Sequence, residues 1–154
     1  NCILDAYPSL QQTDSIRIEM FAGPFREPDE LKKLAAKAAT GIRIRRYTRR
    51  FLDYLSAADL SVSLAGYNTC MNLITARVPA LIYPYAQQQE QPLRVAKIDK
   101  LIPMKILQDK DIEPQRISRY IHQMLLEPRP VEPVAVNLDG AAHTAKYLEA
   151  WISG

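Results

Sequence analysis

Cysteine is scarce in this chain. Cys2 and Cys70 are its only two, and they form neither a C-x-x-C pair nor a metal-ligand spacing. A disulfide scaffold and a clustered zinc site are thereby excluded, and reduced thiols in a cytoplasmic setting are the simplest expectation. Long apolar runs are missing too: none approaches the length of a membrane span, and no secretory signal pattern is visible near Asn1. Histidine is limited to His122 and His143, neither of which has a Cys, Asp or Glu at metal-ligand spacing. No Ser–His–Asp order, P-loop or G-x-G-x-x-G can be assembled, so no metal or cofactor site is expected. The net charge of +3 is too small to imply nucleic acid by itself. Repeats and low-complexity segments are absent.

What remains is a chain of 154 residues, 47% apolar and 24% charged, enough for a single domain spanning 1–154 with a proper core. Residues 1–10 read as the tail of a helix or a capping segment, interrupted at Pro8. Residues 15–22 alternate apolar and polar and then turn at Gly23 and Pro24, which predicts a strand. Residues 28–40 place Leu31, Leu34, Ala35 and Ala38 at helical spacing, with Asp29 and Glu30 early and Gly41 just past the end. A strand over 42–47, a short helix over 49–57 and a strand over 60–64 follow. Then come a helix over 67–76, a strand over 80–83, and a helix over 88–100 with Pro92 in its first turn. A short edge strand over 102–107 precedes a helix over 114–126. A stiff Pro-rich connector, 127–138, leads to a final helix, 139–152, whose apolar stripe is Ala142, Ala145, Leu148, Trp151 and Ile152.

Strands alternating with helices predict an α/β fold: a Rossmann-like parallel sheet with helices on both faces. Ligands of such sheets sit outside the carboxyl ends of the strands. The turn at Gly66, the turn at Tyr47 and Thr48 and the loop after Pro84 all fall at that end. Where the strand 60–64 gives way to Gly66, Tyr67, Asn68 and Thr69, the first helical N–H groups are left bare and attract anions. A phosphate-bearing ligand is the first expectation. Gly66 would let a phosphate approach closely, while Asn68 and Thr69 either cap the helix or bond a pyrophosphate oxygen. A plain capped strand-to-helix turn is the alternative.

The ordered set Asp59, Ser63, Gly66, Thr69, Pro79, Pro84, Glu90, Gln91, Arg94 and Ala96 resembles the C-terminal half of GT-B glycosyltransferases, closest to glycosyltransferase family 28, which includes the murein N-acetylglucosamine transferase. The resemblance implies a nucleotide-sugar donor of UDP type, with the sugar passed to a hydroxyl acceptor without a bound metal. It implies that Tyr47 and Thr48 pack the uracil and bond its edge, and that Glu90 and Gln91 contact donor-sugar hydroxyls. Arg94 steadies the site. Asn72 stands where the family carries a Glu that accepts ribose hydroxyls, so one acceptor is kept and the charge is lost. Read without the resemblance, Tyr47 is an ordinary core residue at a strand end. Glu90 and Gln91 are then a solvated first helical turn, with Arg94 paired to Glu90 four residues on.

The family base usually comes from the other half, so no catalytic residue is named here and the isolated domain is expected to be inactive. The resemblance further implies that the chain lacks its first strand and the whole N-terminal half. The final helix would cross back onto that half with Trp151 as its anchor. Expected partners are the UDP-sugar donor and an N-terminal half or partner chain. Two rivals stay open: one subunit of a split two-chain transferase, and a non-catalytic binding module on the same scaffold. Arg43, Arg45, Arg46, Arg49 and Arg50 are the densest charge. Arg43 and Arg45 line a solvated face opposite Ile42 and Ile44 or, alternatively, the cluster attracts pyrophosphate or anionic lipid in a peripheral membrane contact. Nucleic acid is not expected, since no aromatic platform accompanies them.

Overall fold

The computed structural model describes residues 1–12, 15–85, 87–132 and 140–152. Strands β1 (Ile18–Phe21), β2 (Ile42–Arg45), β3 (Ser61–Leu64), β4 (Ala80–Tyr83) and β5 (Met104–Ile106) alternate with helices α1 (Cys2–Gln11), α2 (Pro28–Ala36), α3 (Phe51–Ala57), α4 (Tyr67–Ala76), α5 (Glu90–Ile98), α6 (Pro114–Leu125) and α7 (Gly140–Ile152). Every strand pair is parallel: Ile18 faces Ile42, Ser61 faces Ala80 and Ala80 faces Met104. The α/β, Rossmann-like class read from the sequence is the one observed.

Strand β4 shows why both faces are covered. Ala80, Leu81 and Ile82 are all fully buried, and successive side chains point to opposite faces. Ala80 and Ile82 join Leu55, Cys70, Leu73, Ile74, Val95 and Ile98, from α3, α4 and α5. Leu81 joins Tyr7, Leu10, Ile117, Ile121 and Met124, from α1 and α6. A strand that is apolar at every position is stable only between two helical layers.

The sheet is not one ladder. It comprises a pair ordered β1-β2 and a triplet ordered β3-β4-β5. Helix α1 ties down the pair. The Tyr7 hydroxyl lies 3.0 Å from the carbonyl oxygens of both Ile16 and Thr40, and it accepts a 3.0 Å bond from Gln11 Nε2. Gly41, at φ +102°, makes this approach possible: a Cβ there would stand 2.0 Å from the Tyr7 oxygen.

Three details depart from the sequence reading. Pro8 does not interrupt α1, although its missing N–H removes the helical partner of the Leu4 carbonyl. Burial of Leu4, Tyr7 and Leu10 outweighs that loss. Helix α2 ends at Ala36 rather than Thr40, because the N–H groups of Lys37 and Ala38 close tighter turns on Leu34 O and Ala35 O, each at 3.1 Å. Gly41 therefore serves the entry to β2 and not the helix end. Helix α5 begins at Glu90, since Gln88 N donates to Tyr85 O in a separate turn. On α7, Trp151 is 86% exposed, and Tyr147, Leu148 and Ile152 are exposed beside it.

Of the connector 127–138, residues 127–132 are described and non-helical, and the remainder, with Asp139, lies outside the described residues. The described part is strapped to the body. Arg129 donates to the carbonyls of Leu55, Ser56 and Ala58 at 3.1, 2.7 and 2.6 Å, which satisfies the open end of α3. Arg77, the left-handed residue that ends α4, donates to Val131 O.

Candidate functional site

The turn between β3 and α4 is built from backbone. Gly66 is the N-cap of α4, with φ −62° and ψ 148°, and no side chain caps the helix. Asn68 and Thr69 are therefore not helix caps; Asn68 is exposed and Thr69 half-buried. The intrahelical ladder begins with Cys70 N donating to Gly66 O at 2.9 Å. The N–H groups ahead of it form the positive end of a ten-residue helix whose body is buried. Gly66 is not demanded by the fold, because an added Cβ would meet only Thr69 Oγ1 at 3.7 Å. What glycine leaves here is open space in front of the amides.

Arg94 fixes that turn. Its Nη1 donates to Ala65 O at 2.8 Å, its Nη2 lies 3.5 Å from Glu90 Oε2, and its guanidinium carbon stands 5.5 Å from the Tyr67 ring centre. The side chain is 19% exposed. The pairing with Glu90 along the helix is present, and so is a steadying contact that helical spacing alone does not reveal. Tyr67, 61% exposed, thus flanks the amides with a ring held by a cation. Directly beneath, the fully buried Cys70 thiol is pushed up by desolvation, against the opposing pull of Arg94.

Glu90 and Gln91 part company. Glu90 is 86% exposed. Gln91 is 7% exposed, accepts from Tyr85 N at 2.8 Å through Oε1 and donates to the Gln88 side chain through Nε2. Its amide closes the loop after β4 instead of lying open in a solvated turn. Asn72 sits half-buried in the second turn of α4.

Tyr47 is 60% exposed, so it is not a core residue. Thr48 Oγ1 accepts from Arg50 N at 3.0 Å and opens α3. Of the arginine cluster, Arg43 and Arg45 both reach Glu19 on β1, at 3.4 and 2.8 Å. Arg46 donates to Pro24 O, and Arg50 pairs with Asp53 at 2.6 Å. Much of that charge is neutralised locally, and the guanidinium of Arg45 is held further toward its charged form by its bond to Glu19. Within each ladder the strands are parallel, so Tyr47 and Thr48 follow the carboxyl end of β2, Gly66 to Thr69 that of β3, and Tyr85 and residues 87–94 that of β4. The sequence missed the bond from Arg94 to the Ala65 carbonyl, 29 residues away, and the Tyr85–Gln88–Gln91 closure, which turns on the backbone N–H of Tyr85. Among the described residues no group of three or more His, Cys, Asp or Glu is placed to hold a metal ion.

Residues 1–147 match the Glycosyltransferase family 28 C-terminal domain. The chain belongs to that family. A curated relative is the UDP-N-acetylglucosamine–N-acetylmuramyl-(pentapeptide) pyrophosphoryl-undecaprenol N-acetylglucosamine transferase of Carboxydothermus hydrogenoformans, 24% identical over 132 residues, covering 84% of this chain and 35% of that protein. The crystal structure of the glycotransferase of kitacinnamycin is similar in fold, with a TM-score of 0.61 at 15% identity, covering 82% of this chain and 30% of that one. The architecture is thus that of a family 28 C-terminal domain, one half of a GT-B fold, and the chain spans about a third of the length of the proteins it matches. No described helix is long and apolar enough to cross a membrane.

Proposed function

We propose that this family 28 domain binds the nucleotide-sugar donor, of UDP type, of a glycosyltransferase that passes a sugar to a hydroxyl acceptor. The observation that carries the reading is the uncapped N-terminus of α4, held open at the carboxyl end of the sheet by Arg94 on Ala65 O. A diphosphate there would accept from the amides of residues 67–69, beside Gly66, and the helix dipole would favour its charge. As the sugar departs, charge grows on the leaving diphosphate, and fixed N–H donors stabilise it without reorganising. Tyr47 supplies an exposed aromatic wall for the base, with Thr48 alongside. Asn72 faces the ribose, Glu90 the sugar hydroxyls, and Gln91 shapes the loop that bears Glu90. Arg94 is a positioning residue.

The similarity to the Carboxydothermus hydrogenoformans UDP-N-acetylglucosamine-dependent transferase supports UDP-N-acetylglucosamine as the type of donor. The acceptor and the general base belong to a second half, in cis or as a separate chain. The exposed Tyr147, Leu148, Trp151 and Ile152 on α7 are suited to packing against that half. Titration of UDP into the domain, followed by amide shifts, tests the reading. Shifts gathered at Tyr47, Gly66 to Asn72 and residues 87–91 are expected. Saturating UDP that leaves the Gly66 to Thr69 amides unmoved refutes it.

A further inference from the structure

Helix α3 is short, and it spans the break in the sheet between the pair and the triplet. Its seven residues make fewer than two turns, too few to hold a helix without outside contacts. Leu55 is buried, Phe51 and Tyr54 are half-buried, and its other residues are exposed. Phe51 and Tyr54 meet the Phe21 ring of β1 edge-on at 5.5 and 5.0 Å, and the Arg45 guanidinium of β2 stands 5.6 Å from the Tyr54 ring centre. Leu55 lies in the cluster with Ala80 and Ile82 of β4. Helix α3 thus rests on the pair through its rings and on the triplet through Leu55.

Tyr47 and Thr48 lead into the start of α3, where Arg50 N donates to Thr48 Oγ1 at 3.0 Å. At the other end the last carbonyls run out of intrahelical donors. Arg129 fills that end, with Nη1 on Ser56 O and Nη2 on Leu55 O and Ala58 O. The segment that carries it leaves α6 in the layer around Leu81 and reaches α3 in the layer around Ala80 and Ile82. In so short a helix the two ends are not independent: fraying of the last turn leaves a single turn, which does not persist alone. The rings then lose their fixed place against Phe21, and Tyr47 and Thr48 lose their footing. Helix α4 is the contrast. It has ten residues, Cys70, Leu73 and Ile74 among them buried, and its last carbonyls already accept from the Arg77 N–H before the Arg77 side chain reaches Val131 O.

We infer that Arg129 is a positioning residue for the base end of the donor site: by holding the end of α3 it fixes Tyr47 relative to the α4 amides across the break. This role rests on the proposed donor site, and it separates the two ends of the ligand. A nucleoside diphosphate engages both Tyr47 and α4, whereas inorganic pyrophosphate engages α4 alone. If an unpinned α3 keeps its place about a fifth of the time, UDP binding weakens about fivefold and pyrophosphate binding does not change.

Titrations of UDP and of inorganic pyrophosphate into the chain 1–154, read by calorimetry and amide shifts, test this. Arg129→Ala is expected to bind UDP about fivefold more weakly than the parent and pyrophosphate within about twofold of it. Arg77→Ala, which frees the segment from α4 and not from α3, is expected to keep both ligands within about twofold of the parent. Should Arg129→Ala not fold, Arg129→Lys, with one nitrogen in place of the fork, is read in the same way, and a loss of about two- to threefold in UDP alone is expected. The inference is overturned if the folded Arg129 variant binds UDP as tightly as the parent, or loses pyrophosphate by the same factor as UDP. It is also overturned if Arg77→Ala weakens UDP as much, since slack in the segment and not the end of α3 is then the cause. A parent whose Gly66 to Thr69 amides respond to neither ligand ends the donor reading and this role with it; a responsive parent with unchanged variants ends this role alone.

Discussion

Arg94→Ala removes the side chain that hydrogen-bonds α5 to the β3–α4 turn. Ala65 is fully buried, so its carbonyl loses a charged donor and gains no water. A hydrogen bond to a charged group is worth about 1.5–3 kcal/mol. The stacking on the exposed Tyr67 ring adds roughly 0.5 kcal/mol, and the pair with the 86%-exposed Glu90 adds close to nothing. These are not additive, and a loss of about 2–3 kcal/mol is expected for the alanine variant. With a urea slope of about 2 kcal/mol/M for a domain of this size, the unfolding midpoint falls by roughly 1–1.5 M. Arg94→Gln keeps a neutral donor within reach of Ala65 O and is expected to recover about half of that. UDP affinity, measured by calorimetry on the folded variants, should fall about tenfold or more for alanine and less for glutamine. A midpoint within 0.3 M of the parent for Arg94→Ala would refute the energetic reasoning. If glutamine keeps the midpoint yet loses UDP as completely as alanine, Arg94 touches the anion itself and is not a positioning residue.

Gly41→Ala drives a methyl to 2.0 Å from the Tyr7 oxygen at a φ of +102°, so thermal unfolding should show a loss of about 3–5 kcal/mol. Gly23→Ala, at φ +94° with nothing within 4 Å, should lose only about 1 kcal/mol. Asn72→Glu restores a charged acceptor for ribose hydroxyls and should tighten UDP by about 1–2 kcal/mol, roughly five- to thirtyfold; no gain counts against a ribose role. Asp111 accepts from Gln108 N at 2.9 Å and from the Tyr120 hydroxyl at 3.1 Å, and the Gln108 bond above all holds its carboxyl below the usual range. A carboxyl with a lowered folded pKa contributes fully above its unfolded value, near 4, and loses that contribution as pH falls through the lowered one. Urea midpoints between pH 5 and 2 should therefore fall less steeply for Asp111→Asn than for the parent.

Periodicity and punctuation carried most of the fold. Helix α4 and strand β4 fall on the residues their patterns indicate, because Gly66 opens the helix and Pro79 closes the following loop. Local pattern failed where distant contacts decide. Ala38 has the right spacing for α2, but its N–H turns back to Ala35 O in the tight turn that ends the helix. Pro8 reads as a breaker, yet burial of Tyr7 and Leu10 keeps α1 whole. At the site, the turn at Gly66 was legible as an anion-seeking helix end. Apart from the resemblance, Gln91 and Arg94 were legible as helix-surface residues, since their partners Tyr85 N and Ala65 O are backbone groups that no side-chain pattern marks.

The proposed site and the break in the sheet are physically linked. Tyr47 follows β2, in the pair, while Gly66 follows β3, in the triplet. A UDP with its base on Tyr47 and its phosphates on α4 therefore straddles the break. Its affinity depends on how often the two pieces hold the spacing that serves both ends. If they do so a tenth of the time, the apparent Kd is tenfold weaker than that of a closed sheet. Tyr47→Ala should therefore weaken UDP by about three- to tenfold in calorimetry, although it lies on the other piece of the sheet from α4. An alanine variant that binds UDP as tightly as the parent would mean that base and phosphate lie on the same side of the break and that Tyr47 is not part of the donor site.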